Sequence, residues 1–167
     1  NDFSTIRPIS NKLSIANYIF KYFVFIGEIM AKEFRTKAEI DLGEGFKVEC
    51  EASGKKIIAD EPLSFGGTDL GMNPIELLLS GLGACKCVTS KVIAKKKGLK
   101  LDYLAVECIG FFRPGTLGLS DIETIYHIKS DASDEELEKF MALVDDSCPV
   151  HATIKNPAPI AHKLVRV

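Results

Sequence analysis

NPIELLLSGLGACKCVTSKVIAKKKG, residues 73 to 98, decides how the rest of the chain is read. Asn73 supplies an N-cap, Pro74 fits a first helical turn, and Glu76 sits where an acid favours the positive end of the helix dipole. At the other end Lys95, Lys96 and Lys97 precede Gly98, a basic last turn followed by a left-handed cap. The spacing predicts a helix from Pro74 to about Lys97, about 36 Å long. Its first four turns are apolar nearly all round, so it is expected to be the central, buried element. Gly81 and Gly83 oppose this locally, since each costs a helix interior about 1 kcal/mol relative to Ala. Some packing or chemical demand therefore acts on the turns around GLGACKCV, residues 81 to 88.

The segments on either side supply sheets. Glu33 to Leu42 reads as extended, GEG at 43 to 45 as a turn, and Phe46 to Ala52 alternates, with Val48 and Cys50 facing opposite to Lys47, Glu49 and Glu51. That is a hairpin with one wet face. SGKK at 53 to 56 turns the chain into a third short strand, KIIAD. The loop EPLSFGGTDLGMN, 61 to 73, is glycine-rich enough to approach a ligand or to cross an edge of the fold. After Gly98, LDYLAVECIGFF and DIETIYHIKSD read as strands joined by RPGTLGLS. Ser133 with Glu136 three residues on forms a capping box for a second helix, whose apolar stripe is Leu137, Phe140, Met141 and Val144. SCPVHATI, 147 to 154, reads as a short helical or turn segment, and IAHKLVRV as a closing strand. The fold class is α+β.

With 167 residues, one domain buries roughly 70% of the surface its unfolded chain exposes and needs no disulfides to fold. The 21 basic and 23 acidic side chains leave a net charge of −2, which gives no electrostatic footprint for nucleic acid. The lysine run at 95 to 97 is a solvated helix end rather than a phosphate patch. Five irregularly spaced cysteines, Cys50, Cys85, Cys87, Cys108 and Cys148, argue against a secreted disulfide framework and for a reducing cytoplasm. The apolar stretch from Ile15 to Ile29 is broken by Asn17, Lys21 and Glu28 and is too short to span a membrane. It lacks the marks of a secretory signal. Met30 opens MAKEFRTKAEIDLG like the start of a cytoplasmic protein, so residues 1 to 29 are set apart as an N-terminal extension and 30 to 167 as the domain.

Chemistry centres on sulfur. Cys85 and Cys87 are two apart, which separates them by about 200° around a helix. One therefore faces the core and the other a cleft. Gly81, Gly83 and Ala84 strip bulk from the turn before Cys85, which lets another segment approach its sulfur. Cys148, next to Pro149 after the second helix, is the natural approaching partner, at a helix start where amide dipoles favour a thiolate. Three other readings stand beside this one. The thiols can be small core hydrophobes. Cys85, Cys87, Cys148 and His151 make a donor set for zinc, but their spacings are not those of a structural site. His151 can serve as base to Cys148, while His127 and His162 sit on predicted strands with no evident orienter.

The run NPIELLLSGLGACKC, 73 to 87, followed by SCPVHATI, 147 to 154, resembles the OsmC/Ohr family of osmotically inducible and organic-hydroperoxide-resistance proteins. The likeness spans roughly Met30 to Val167. It implies antiparallel sheets packed on a long buried central helix, in an intertwined homodimer with active sites at the subunit interface. It also implies a role in the oxidative stress response, with no cofactor and no metal. By this resemblance Cys85 is the peroxidatic cysteine, attacking the terminal peroxide oxygen and becoming a sulfenic acid. Cys148 is the resolving cysteine, closing a disulfide that an external dithiol reduces. Cys87 has no counterpart role.

The sequence departs from the peroxidase members in two places. Ile75 stands where they carry a glutamate after the proline, and Glu76, one position late, is swung about 100° away. Their hairpin arginine is also missing, since GEGFKVEC offers only Lys47; Arg35 and Arg113 are candidate substitutes outside the motif. The expected function is a cytoplasmic thiol peroxidase of peroxiredoxin type acting on organic hydroperoxides, with no nucleic-acid or membrane partner. The alternative is a dimeric binding protein, with little or no peroxidase activity, for an apolar or acyl small molecule in an interface cleft. Ile75, Leu78, Leu79 and Leu82 and the Phe65-Gly66-Gly67 loop would line that cleft.

Overall fold

The computed structural model describes residues 33 to 166. The N-terminal extension, 1 to 29, and the proposed domain start at Met30 lie outside the described residues. Three strands come first: β1 (Lys37–Ile40), β2 (Val48–Ala52) and β3 (Lys55–Ala59), in an antiparallel sheet of order β1-β2-β3. Within β2, Val48 and Cys50 are half-buried while Glu49 and Glu51 are exposed, the alternation of a one-sided hairpin. Then comes the long helix α1 (Pro74–Lys97), followed by β4 (Tyr103–Phe111) and β5 (Asp121–Lys129), which pair antiparallel along their full length from Tyr103↔Lys129 to Phe111↔Asp121. Helices α2 (Asp134–Ser147) and α3 (Pro149–Lys155) complete the set.

Local chemistry fixes the helix ends. The Asn73 side chain accepts from the Glu76 backbone N–H at 2.9 Å and the Glu76 carboxylate accepts from the Asn73 N–H at 2.9 Å, a reciprocal cap. Gly98, at φ 67°, closes α1 in the left-handed conformation. Ser133 and Glu136 cap α2 in the same reciprocal way.

The loop after β3 is organised by a residue that the hydrophobic pattern does not single out. Asp60 is buried, and its carboxylate accepts from the N–H groups of Glu61, Thr68 and Leu70 and from the Thr68 hydroxyl. These bonds, the Thr68 hydroxyl first among them, hold the Asp60 carboxyl below its usual range. The glycines of this loop serve close approach. A Cβ on Gly67 would lie 1.8 Å from the Glu61 carbonyl oxygen, and one on Gly71 2.2 Å from that of Ile58. The loop is thus a folded strap held by its own hydrogen bonds and close backbone contacts.

The core lies between α1, the β4–β5 sheet and α2, where Leu82, Ile93, Ala94, Phe140, Val144 and Cys148 are buried. Two expectations need correction. Among the described residues helix α1 is buried along one face, and Leu78 and Val88 are 45% and 61% exposed, because β4, α2 and α3 are the elements that chiefly pack on it there. The β1–β3 sheet leaves Ile40, Phe46 and Ile57 exposed. The closing strand is also absent: residues 157 to 166 carry no strand, and Ile160, Leu164 and Val165 are exposed. Alternation alone does not make a strand when, among the described residues, no edge pairs with it.

Candidate active site

Cys85 lies in the middle of α1 and is half-buried; Cys148 is the residue between α2 and α3 and is 1% exposed. Helix α1 packs on both α2 and α3, and at their junction the two sulfurs meet. The Cys148 and Cys85 side chains lie within hydrogen-bonding reach of each other, and both cysteines are free. The structure brings together Cys85 and Cys148, the two residues paired in the sequence.

The glycine argument is matched only in part. Gly83 is buried against β4, where an added Cβ would lie 3.3 Å from the Val106 carbonyl oxygen and 3.5 Å from Cys108 Sγ. It therefore admits a strand, not Cys148. Gly81 has open space where its Cβ would be.

Burial pushes the Cys148 thiol above the ordinary thiol value. The hydrogen bond to Cys85 and negative charge on Cys85 push it the same way, while the backbone N–H groups of His151 and Val150 pull it down. The helix start expected to favour a Cys148 thiolate is present, but burial outweighs it. When Cys85 carries charge, Cys148 keeps its proton. His151 contributes its backbone amide to this sulfur; His127 pairs with Glu107 at 3.3 Å on an exposed face. Among the described residues no three or more His, Cys, Asp or Glu side chains cluster as a metal site, so the Cys85, Cys87, Cys148 and His151 donors are not assembled.

Among the described residues, Glu76 and the candidate substitutes Arg35 and Arg113 are each engaged by other partners. Glu76 is engaged in the α1 cap. Arg35 binds Glu33 at 2.5 Å, and Arg113 binds Asp121 at 2.7 Å, both on the surface. A buried cation stands elsewhere on α1. Lys86 follows Cys85 and points inward, fully buried, on the α1 stripe formed by Leu82, Thr89, Ser90 and Ile93. Its ammonium pairs with Asp145 Oδ1 and donates to the Tyr126 hydroxyl at 3.3 Å, and it lies 5.4 Å from the centre of the Tyr126 ring. Tyr126 in turn donates to Asp145 Oδ1 at 2.7 Å. Burial and the Asp145 carboxylate push the Tyr126 hydroxyl far up, so it stays protonated and donates. A lysine in phase with buried neighbours at i−4, i+3, i+4 and i+7 was the available signal.

Cys87 and Cys108 occupy the other side of α1, in a cavity of about 520 Å³ between α1 and β4 that Leu79, Ser80 and Leu104 also line. Burial pushes the Cys108 thiol up; the Lys86 charge pulls it down and a charge on Cys87 pushes it up. An adjoining cavity of about 480 Å³ shares Cys87 and Leu104 and ends at Lys91 and Lys95.

A family model for OsmC-like proteins matches residues 66–163. Two relatives named hydroperoxide reductase are similar to this chain. That of Mycoplasma genitalium is 30% identical over 88 residues, 50% of this chain and 62% of the relative. That of Mycoplasma pneumoniae is 32% identical over 92 residues, 53% of this chain and 65% of the relative. The match thus spans less than two thirds of either relative's length. Among solved structures, an OsmC-like protein from Mycoplasma pneumoniae superimposes with a TM-score of 0.68 at 26% identity, covering 77% of this chain and 91% of that one. An organic hydroperoxide resistance protein OsmC from Legionella pneumophila shares the fold, with a TM-score of 0.58 at 22% identity over 76% of this chain and 92% of that one.

Proposed function

This chain belongs to the OsmC-like family, and from that premise we propose that it is a thiol-dependent peroxidase that reduces organic hydroperoxides. The observation that carries the reading is the meeting of Cys85 and Cys148 at a junction where Cys148 is buried and Cys85 is half-buried and open to attack. The hydroperoxide reductases among its relatives support the substrate class. Cys85 thiolate attacks the terminal peroxide oxygen, the O–O bond breaks, and the leaving alkoxide takes a proton to become an alcohol. Cys85 is then a sulfenic acid. The Cys148 sulfur displaces its hydroxyl, which leaves as water with the Cys148 proton, and a disulfide forms. An external dithiol restores both thiols and is itself oxidised.

The active unit in this reading is a homodimer. Leu78, Gly81, Cys85 and Val88 fall at alternating spacings of three and four along α1, and Leu78 and Val88 are exposed in the single chain. A second copy laid against this seam would shelter Cys85 and cover the exposed apolar residues Ile40 and Ile57 of the β1–β3 sheet. Five free cysteines are in keeping with a reducing, cytoplasmic setting.

The test is consumption of cumene hydroperoxide with dithiothreitol as reductant. Turnover is expected in the native protein and is lost in Cys85→Ser; an inactive native protein whose thiols survive excess peroxide overturns the reading. A second reading has its own observation. The two adjoining cavities between α1 and β4 join apolar walls at Leu79 and Leu104 to cations at Lys91 and Lys95, a shape suited to an acyl chain with an anionic head. A bound fatty acid in a native mass spectrum, with no peroxidase turnover, would favour it.

A further inference from the structure

Lys86 presents a problem that the proposed reaction leaves unsolved. A lysine with no exposed surface, on a helix face otherwise made of Leu82, Thr89, Ser90 and Ile93, is costly to bury, and an apolar residue of similar volume is often at least as stable in such a place. What an ion pair adds is direction. Apolar packing tolerates sliding; a hydrogen-bonded charge pair specifies one register.

The positions of the paired residues in the chain say which register is specified. Lys86 directly follows Cys85 on α1. Asp145 lies one helical turn before Cys148 on α2. The Lys86 ammonium meets the Asp145 carboxylate, and Tyr126 of β5 ties both, accepting from Lys86 at 3.3 Å and donating to Asp145 at 2.7 Å. Three elements, α1, α2 and β5, therefore converge on one ion pair whose members adjoin Cys85 in sequence and precede Cys148 by one helical turn. Helix α2 also has no basic residue in its last turn, where Asp145 and Asp146 oppose its dipole, so the Lys86 charge is the cation that this helix end lacks.

We propose that Lys86, Asp145 and Tyr126 are positioning residues that lock α1 against the α2–α3 junction so that Cys85 and Cys148 meet in bonding register. The assignment rests on the thiol reading of that pair, but it concerns the closing of the disulfide and not the attack on peroxide. The step it governs is the displacement of hydroxyl from the Cys85 sulfenic acid by the Cys148 sulfur, with water leaving. The lock touches neither peroxide nor the reacting atoms. It sets the effective concentration of one sulfur at the other, a quantity that falls steeply with small misplacements.

The test measures that concentration without using a peroxide. Native protein, Asp145→Asn, and a double variant Lys86→Met with Asp145→Leu, which removes both charges and is expected to fold, are equilibrated in glutathione buffers of graded ratio. The Cys85–Cys148 disulfide is then quantified by mass spectrometry after alkylation. The disulfide equilibrium constant is expected to fall by about tenfold to a hundredfold in both variants. In single turnover with cumene hydroperoxide, sulfenic acid formation at Cys85 should keep its native rate while disulfide closure slows. Tyr126→Phe, which keeps the ion pair, is expected to fall between native and variant. A double variant that folds, as judged by circular dichroism, and shows the native disulfide equilibrium overturns the proposal. A native protein that is inert to peroxide yet shows the expected difference in glutathione buffers would sink the peroxidase reading and leave the lock standing.

Discussion

Cys148 and Cys85 meet where α1 crosses the junction of α2 and α3, and their unequal burial orders the two sulfurs chemically as well as spatially. Cys148 is buried and holds its proton above the ordinary thiol value of 9.0, so it cannot begin the reaction easily. It can finish one.

Cys148→Ser should leave the first step intact and abolish the second. After one equivalent of cumene hydroperoxide the variant is expected to hold a Cys85 sulfenic acid that dimedone traps, whereas the native protein yields almost no adduct. Equal dimedone labelling of both proteins would show that Cys148 does not resolve.

The raised thiol value of Cys148 gives the closing step a pH dependence of known sign. Below that value the attacking thiolate fraction rises about tenfold per pH unit. Disulfide closure, followed after a rapid peroxide pulse, should therefore accelerate steadily from pH 7 to pH 9. A rate that levels off below pH 8 would mean that another group sets the step.

Asp60 supplies a different pH signature. Its carboxyl lies below 3.8 in the folded chain, because the Thr68 hydroxyl and three backbone N–H groups favour its charged form. A depressed folded value contributes stability that is complete above the unfolded value and vanishes as pH falls through the folded one. Asp60→Asn should lower stability at pH 7 and remove this share of the acid dependence below about pH 4. Parallel stability curves for native and variant protein between pH 3 and 7 would contradict it.

Two glycines separate a folding constraint from an assembly constraint. Gly67→Ala brings a Cβ to 1.8 Å from the Glu61 carbonyl oxygen and is expected to cost about 3 kcal/mol in urea unfolding. Gly81→Ala meets nothing within 4 Å in the single chain, so helix propensity alone favours it by about 1 kcal/mol. If Gly81 lies on the dimer seam, the added methyl should instead weaken association, which sedimentation equilibrium reads directly. A stabilised variant with unchanged self-association would remove that seam from the interface.

What the amino-acid sequence made legible follows from the range of the forces involved. Asn73, Pro74 and Glu76 at one end of α1 and Gly98 at the other act within a single turn, and the helix begins and ends where they put it. Ser133 and Glu136 place α2 in the same way. The meeting of Cys85 and Cys148 was legible through a motif pair, not through any local rule. Lys86 was not legible, because a lysine is ordinarily solvated and only the fold brings Tyr126 and Asp145 to it. The segment IAHKLVRV was misread as a strand because alternation describes a face to be covered and says nothing of a pairing edge, and among the described residues none pairs with 160 to 166.

The most direct measurement is peptide mapping by mass spectrometry after one equivalent of organic hydroperoxide is added to the fully reduced protein. We expect a single cross-linked peptide joining Cys85 to Cys148, with Cys50, Cys87 and Cys108 recovered as alkylated thiols. Recovery of Cys85 and Cys148 as separate alkylated thiols, or a link from either to another cysteine, would contradict it.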